Sequence, residues 1–575
     1  MLIQTVQHSL HQKTVQVFHE QITAQPWLTN DASALQDIAD AFVTTVRAAL
    51  ASVLRECNRA IRPQPRLPKE IWYRIWEEVP VSTRVTVTHV CNEWRDAIHW
   101  PGLWTSLIIS LKVKEDAGGT TTFQTDPAMM REYATRSAQL PLHVEFSIYS
   151  YEAEDSQPTA RTMSQRYGLI LVENSHRLSS INIRTNNLPI LNLFLQSLKT
   201  KGLPMLTTLV IRNEDPTVPE LEIGMHLPEL LSLELYGEGL YIYPESFRHF
   251  SAPMARKVVC PVPDEPSLAM LVRACPAVQN MFLDFGWLRT FDEHSFTENS
   301  TPADADVVKE YFHHTPPRRL ALTNVTSGLM DVLLPIIYDA NIVEFEVILA
   351  EPFLNHTTGL SFDTDPKWAI VLRDVPNPVE FWCCSQTVAD EHRHTVGVLG
   401  HEGKRRNVWF HWKSWAAGCE TFLAGLWTTY LATGAVRTLC KLSVGSAVLP
   451  ELVESLDADN GIQQLDIHIQ SLQDEMKLVA WLKTPMDQDT RPLGAFAKIE
   501  RLALYVNLDS QFEPRFASLN SEDLVMLEVL LQRVCDPATR PLQTLTITGI
   551  QPEELSPPET TLDILRKYAE RVILS

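Results

Sequence analysis

Cys383, Cys384, His392, His394 and His401 stand close together, and thiolate and imidazole are the groups that bind zinc. Structural zinc sites space their ligands as C-x-x-C or similar, which two adjacent cysteines followed by His-Arg-His do not reproduce. The cluster therefore reads as a strand-end pair and a polar loop. Gly397, Gly400, Gly403 and Lys404 approach a phosphate-binding loop, but G-x-x-x-x-G-K-[ST] requires Gly at 398 and Ser or Thr at 405. Val398 and Arg405 stand there instead, leaving a flexible loop. His313-His314 beside Pro316-Pro317 reads as a turn. No Ser–His–Asp set or paired carboxylates can be picked out, so no catalytic residue, metal or cofactor is assigned, and the chain reads as non-enzymatic.

Binding chemistry has a clearer candidate. Val408–Trp427 carries Trp409, Phe410, His411, Trp412, Trp415, Phe422 and Trp427, next to the basic run Lys404-Arg405-Arg406 in an otherwise acidic chain. Aromatic residues and Arg are the types enriched at binding hot spots, and a basic turn can select an acidic or phosphorylated segment. Arg405, Trp409, Trp412 and Trp415 are the candidate target-binding residues. The alternative is that the aromatics fill a thick core and the basic turn is solvated.

Residues 1–30 are weakly patterned. In 31–66, Leu35, Ile38, Phe42, Val46, Leu50, Val53 and Cys57 recur every three or four residues and predict one stripe of a helix. Ser33 with Gln36 fits a capping box, and Pro63 and Pro65 end the helix. Packing on its own domain and self-association through the stripe are both open. Lys112–Thr125, with Gly118-Gly119 and a Thr run, reads as a loop.

From about 140 to the end an apolar-x-x-apolar-x-apolar pattern recurs: Leu178, Ile181, Ile183; Leu206, Leu209, Ile211; Leu230, Leu233, Leu235; Val278, Met281, Leu283; and Ile342, Phe345, Val347. Leu439, Leu442, Val444; Ile462, Leu465, Ile467; Ile499, Leu502, Leu504; and Leu542, Leu545, Ile547 continue it. Weaker copies lie near Leu320, Phe381 and Phe410. Alternation at the last two positions suits a short strand with one buried face, and 188–199, 265–275 and 522–534 read as intervening helices. The copies at 178, 206 and 230 are 28 and 24 residues apart, a leucine-rich-repeat spacing, whereas 462 to 499 is 37 and 499 to 542 is 43. The pattern resembles a degenerate leucine-rich-repeat array with long insertions. A plain α/β domain with a mainly parallel sheet gives similar alternation.

Residues 67–104 read LPKEIWYRIWEEVPVSTRVTVTHVCNEWRDAIHWPGLW. Leu67-Pro68 opens a helix with Glu70 in its first turn, and Ile71, Ile75 and Val79 with Trp72 and Trp76 give it a broad apolar face. A second helix over 82–90 and a third over Trp94–His99 follow, with Trp104 closing the unit. Val-Thr-Val-Thr in the middle helix alternates like a strand and has poor helix propensity. The segment resembles the F-box, whose pattern runs LPxEIL, an I(F/W) pair, a second LP, VC, W(R/K) and a late LW. Leu67, Pro68, Glu70, Ile71, Ile75, Trp76, Pro80, Val90, Cys91, Trp94, Arg95, Leu103 and Trp104 fall in register, with Val79-Pro80 as the second LP. The helix and Arg-containing linker before it resemble those of fungal F-box proteins.

The resemblance implies an α/β chain: a short helical F-box module at 67–111, then an irregular leucine-rich-repeat-like α/β solenoid at 140–575. It implies a substrate receptor for ubiquitin-dependent degradation. A Skp-type adaptor, and through it a cullin, would contact Leu67, Pro68, Ile71, Ile75, Val90, Cys91 and Trp94, and the repeats would hold a target protein. A repeat scaffold without ligase association is the alternative. The net charge of −21 argues against nucleic acid and anionic membranes as partners. Nine scattered cysteines suit a reducing compartment. The most apolar stretch, 329–349, carries Asp331, Pro335, Asp339, Asn341 and Glu344, too polar for a bilayer span. A soluble intracellular protein, cytoplasmic or nuclear, is expected.

Overall fold

A computed structural model describes residues 69–79, 81–87, 99–113, 125–150, 157–214, 223–237, 247–286, 300–325, 327–337, 340–349, 378–388, 391–412, 435–446, 460–469, 472–483, 498–506, 521–534, 541–548 and 558–574, with scattered single residues between them. The chain divides into two compact units, Met1–Leu103 and Trp104–Ser575. The striped helix over 31–66 lies outside the described residues, apart from Val43 and Thr44.

In the first unit, α1 (Lys69–Glu77) and α2 (Val81–Val87) are followed by a 3-10 turn at Pro101–Trp104 that runs on into the second unit. Trp76 is buried, its ring 6.2 Å from that of Trp72, and Tyr73 stacks on Trp100 at 4.3 Å. Gly102 lets Trp100 fold back: a Cβ there would meet the indole at 2.8 Å. Val81–Val87 is helical despite its poor intrinsic propensity. Arg84 supplies the reason. It is buried, and its guanidinium donates to the carbonyls of Glu77 (2.8 Å), Val79 (2.8 Å) and Leu103, tying α2 to the end of α1 and to the 3-10 turn. Its charge-assisted bonds outweigh the weak local preference of Val and Thr.

Helicity was expected through 111, but 106–113 is a strand, and the sheet begins there rather than near 140. Leu107, Ile109 and Leu111 are buried while Ile108 is 48% exposed, the period of two that a strand imposes. The strand also takes up the first residues of the loop expected over Lys112–Thr125.

The second unit is α/β with a 17-stranded, mostly parallel sheet. Its first strands are β1 (Ser106–Val113), β2 (Leu142–Ser150), β3 (Leu178–Thr185), β4 (Thr208–Asn213), β5 (Ser232–Tyr236), β6 (Lys257–Pro261), β7 (Asn280–Asp284), β8 (Arg319–Val325) and β9 (Glu344–Leu349). Each pairs in parallel with the next. The helices described along this run are α3 (Pro127–Arg136), α4 (Gln157–Glu173), α5 (Leu188–Lys199), α6 (Glu265–Ala274), α7 (Pro302–His314) and α8 (Ser327–Ile337). Caps set several of their starts: Asn187 accepts from the Ile190 N–H, and Asp264 from the Ser267 N–H, each with Pro in the first turn. His313-His314, expected as a turn, are the last two residues of α7.

Three strands then break the parallel run: β10 (Pro378–Val388), β11 (Glu391–Gly400) and β12 (Arg405–Trp412). β11 is antiparallel to both neighbours, while β12 runs parallel to β9, and β10 parallel to β13 (Lys441–Gly445). The parallel order resumes through β14 (Gln464–Ile469), β15 (Arg501–Val506), β16 (Leu542–Thr548) and β17 (Ala569–Leu574), with α9 (Leu472–Lys483), α10 (Ser521–Val534) and α11 (Pro558–Arg566) between them. The polar loop expected around His392–His394 is therefore part of β11. The flexible loop expected at Gly400–Lys404 is a tight hairpin turn, with the Gly400 N–H donating to the Lys404 carbonyl and Gly403 at φ +78°.

All nine apolar triplets read from the sequence are buried. On β3 and β4 the alternate positions, Ser180, Asn182 and Arg184 or Thr208, Val210 and Arg212, are partly or fully exposed, whereas Ser443, Asp466 and Ala503 at the corresponding places on β13–β15 are buried. Helices pack on the triplet side, and the other face of the sheet carries polar ladders from strand to strand.

Candidate functional site

Among the described residues, two of the places singled out by the sequence combine exposed binding chemistry with a defined scaffold. The first is α1. Ile71 and Ile75, one helical turn apart and so on one face, are 44% and 41% exposed, while Trp76 turns inward at 3%. Arg84 and the Tyr73–Trp100 stack hold the helix ends, so the apolar pair sits on a braced surface. Leu67, Pro68, Val90, Cys91 and Trp94, the other candidate adaptor contacts, lie outside the described residues.

The second is the antiparallel insert. The register sets Arg405 opposite Leu399 on β11 and beside Glu344 on β9. Arg405 is exposed, and its guanidinium lies 4.9 Å from the centre of the Trp382 ring, a cation–π contact between β12 and β10 across β11. That span closes because the intervening residue is Gly397: a Cβ there would fall 2.3 Å from the Trp382 ring and 2.6 Å from Asn407 Oδ1. Trp409, also on this face, is half-buried, and its indole N–H has no hydrogen-bond partner among the described residues. Trp412 is in β12 but its side chain is outside the described residues, as is Trp415.

The basic run divides by strand alternation. Arg406 turns to the helix-covered side, is 2% exposed, and bonds the carbonyls of Val343 (3.3 Å) and Arg405 (3.0 Å). Arg405 alone of the two arginines faces outward. Trp382 was missed from the sequence. The one signal was its place next to inward Phe381, which puts it on the outer face; its closeness to Arg405 follows only from the order β12–β11–β10.

Beside the insert an ionic chain crosses three strands. Lys441 Nζ lies 2.7 Å from Glu380 and 3.3 Å from Asp466, itself buried. Among the described residues no three His, Cys, Asp or Glu side chains gather as a metal site, and no described helix is long and apolar enough to cross a membrane. No protein-family model matches the chain, and no curated protein matches it.

Proposed function

We propose that this chain is a non-catalytic substrate receptor of a Skp–cullin–F-box ubiquitin ligase. Residues from Leu67 to Trp104 dock the adaptor, and the sheet unit, as an irregular leucine-rich-repeat-like solenoid, holds a target protein. The observation that carries this reading is the exposed Ile71–Ile75 pair on α1, in a segment whose residues fall in register with the F-box pattern. Large apolar side chains on a small braced unit are the chemistry of a protein interface. The solenoid reading rests on strands that pair in parallel with their chain neighbours, one buried triplet at a time. The target is placed at the Arg405–Trp382–Trp409 face of the insert, where an outward Arg is held on an aromatic ring. Catalysis is by proximity: the receptor raises the effective concentration of target lysines at a ubiquitin carrier bound to the same scaffold.

Co-elution of the purified chain with a Skp-type adaptor tests the reading. The wild type is expected to co-elute. Ile71→Asp is expected to lose the adaptor by about 100-fold or more, because a carboxylate at an interface core costs several kcal/mol unless paired. Absence of co-elution by the wild type, or undiminished binding by Ile71→Asp, overturns the proposal. In the first case the sheet unit would be a binding scaffold without ligase association.

A further inference from the structure

The outer face of the sheet carries a second basic site, far along the strand order from the insert. On β2, β3, β4 and β5 the register aligns Ser147, Arg184, Arg212 and Tyr236 in one row. Parallel strands lie about 4.8 Å apart, so the two arginines are immediate neighbours with like charge, an arrangement that destabilises the sheet unless an anion lies between them. Among the described residues neither arginine forms an ion pair.

The nearby carboxylates are otherwise engaged or set apart. Glu234 takes Lys257 at 2.7 Å, Ser232 at 2.9 Å and the Tyr236 hydroxyl at 2.6 Å, and Glu214 takes the Tyr149 hydroxyl at 3.3 Å. Glu145 lies one row away, opposite Asn182. The arginines are also positioned. Arg212 is exposed and lies 5.1 Å from the centre of the Tyr236 ring, which Glu234 fixes through its hydroxyl. Burial and Glu234 push the Tyr236 hydroxyl up to about 12, so it stays a donor and the stack stays in place. Among the described residues the Arg184 Nε is buried without an acceptor, and Asn182 Oδ1 on the same strand is buried without a donor. The Arg184 side chain as a whole is half-buried.

We propose that Arg184 and Arg212 form a binding site for an anionic side chain, phosphate or carboxylate, of a protein segment laid along the outer face of the sheet. Each guanidinium presents a planar fork suited to two parallel N–H···O bonds, and two adjacent forks match a single tetrahedral phosphate. Arg184 supplies the half-buried guanidinium and Arg212 the exposed one. The site goes beyond the adaptor-docking reading and does not depend on it.

The probes are three synthetic peptide pools presented to the full-length chain: a fixed phosphothreonine in degenerate flanks, the same flanks with Glu, and the same flanks with Thr. Capture of the phosphothreonine pool, or of the phosphothreonine and Glu pools, above the Thr pool is expected. Arg212→Gln should reduce that capture about tenfold or more, and capture should fall with added salt. Preference between the two anionic pools assigns phosphate or carboxylate as the source. Arg212 is exposed, so its substitution should leave the fold intact. Arg184→Lys provides a second reading, expected to keep part of the capture because it retains charge but not the fork. Equal capture of all three pools, or capture unchanged in Arg212→Gln, overturns the site. Adaptor co-elution measured on the same variant stays at the wild-type level if the two sites are independent, so failure of one proposal is distinguishable from failure of the other.

Discussion

At the scale of single residues, several polar groups on the outer sheet face are tied to one another, and this makes some of them sensitive to pH. His468 on β14 bonds the Ser443 hydroxyl at 2.9 Å and stacks on Tyr505 with centroids 4.7 Å apart and planes 9° from parallel. Burial holds its pKa below the ordinary 6.5, against the opposing pull of Asp466. The folded chain thus favours neutral imidazole. As pH falls through 6.5 the unfolded chain takes up a proton that the folded one resists, so the unfolded state binds more protons and stability drops. Stability from this group is complete above that value and is lost progressively below it, until the folded form also protonates. The chain has 18 histidines, so the contribution is read by difference. The urea midpoint of the wild type should decline between about pH 7 and 5 more steeply than that of His468→Gln. Parallel decline in both would place the titration elsewhere.

At the scale of elements, buried arginines act as clasps at helix ends. Arg84 binds carbonyls at the end of α1 and in the 3-10 turn. Arg177 bonds the Leu140 carbonyl at 3.2 Å, Ser137 Oγ at 2.7 Å and Asn174 Oδ1, joining the end of α3 to the entry of β3. Arg533 on α10 donates to the Leu482 carbonyl at the end of α9 and lies 4.6 Å over Trp481. Burial lowers the pKa of all three guanidinium groups. The carbonyls at a helix C-terminus lack intrahelical partners and carry partial negative charge, which a guanidinium fork satisfies two or three at a time. The first unit is small, so this matters most at Arg84. Arg84→Met keeps the aliphatic volume but strands three carbonyls, a cost of about 3 kcal/mol or more. The expected outcome is selective proteolysis between 67 and 104 with the sheet unit intact, and loss of adaptor binding without any change at Ile71. Resistance equal to wild type would show that the clasp is dispensable.

Elements were legible in the sequence where burial and capping act locally. The nine triplets and the helices at 188–199, 265–275 and 522–534 follow from side-chain period and from Asn187 or Asp264 beside a proline. β1, β2, β6 and β17 escaped that pattern for physical reasons. Ser106–Val113 carries five apolar residues on alternating and adjacent positions, so its period is blurred. In Lys257–Pro261 the second inward residue is Cys260, and a proline ends the strand. Glu391–His394 is polar enough to read as a loop, because its pairing comes from the hairpins on either side and not from its own composition. The candidate site divides the same way. Arg405 and Trp409 were visible as residue types, whereas Trp382 and the Arg184–Arg212 row depend on strand order, which local sequence does not encode.

At the scale of the molecule, the insert has to solve a polarity problem. β1–β9 and β13–β17 are two parallel blocks, and each strand bonds only to its neighbours, so they form one sheet only if the residues between them preserve direction. One antiparallel strand would reverse the next block; two reversals restore it. β12 runs with β9, β11 against both neighbours, and β10 with β13, so the second block continues with the same polarity. The chain therefore enters the insert at its far side, about three strand spacings from β9, and returns strand by strand. Among the described residues, the strand pairing that joins the blocks passes through β11, on which Gly397 is pinned between Trp382 and Asn407. Gly397→Val should force both neighbours off β11, since backbone-anchored strands cannot absorb a Cβ at 2.3 Å from a ring. In a sheet stabilised by nearest-neighbour pairing, weakening one internal interface uncouples the two sides. Calorimetry of the wild type is expected to show the sheet unit melting cooperatively. In Gly397→Val the same unit should melt in two separate steps, and hydrogen exchange should quicken first in β10–β12 and remain slow in β3–β5 and β14–β16. A single transition in the variant, merely shifted to lower temperature, would mean that the blocks are coupled through their helices, and that the insert is a surface for binding without being the joint that holds the sheet together.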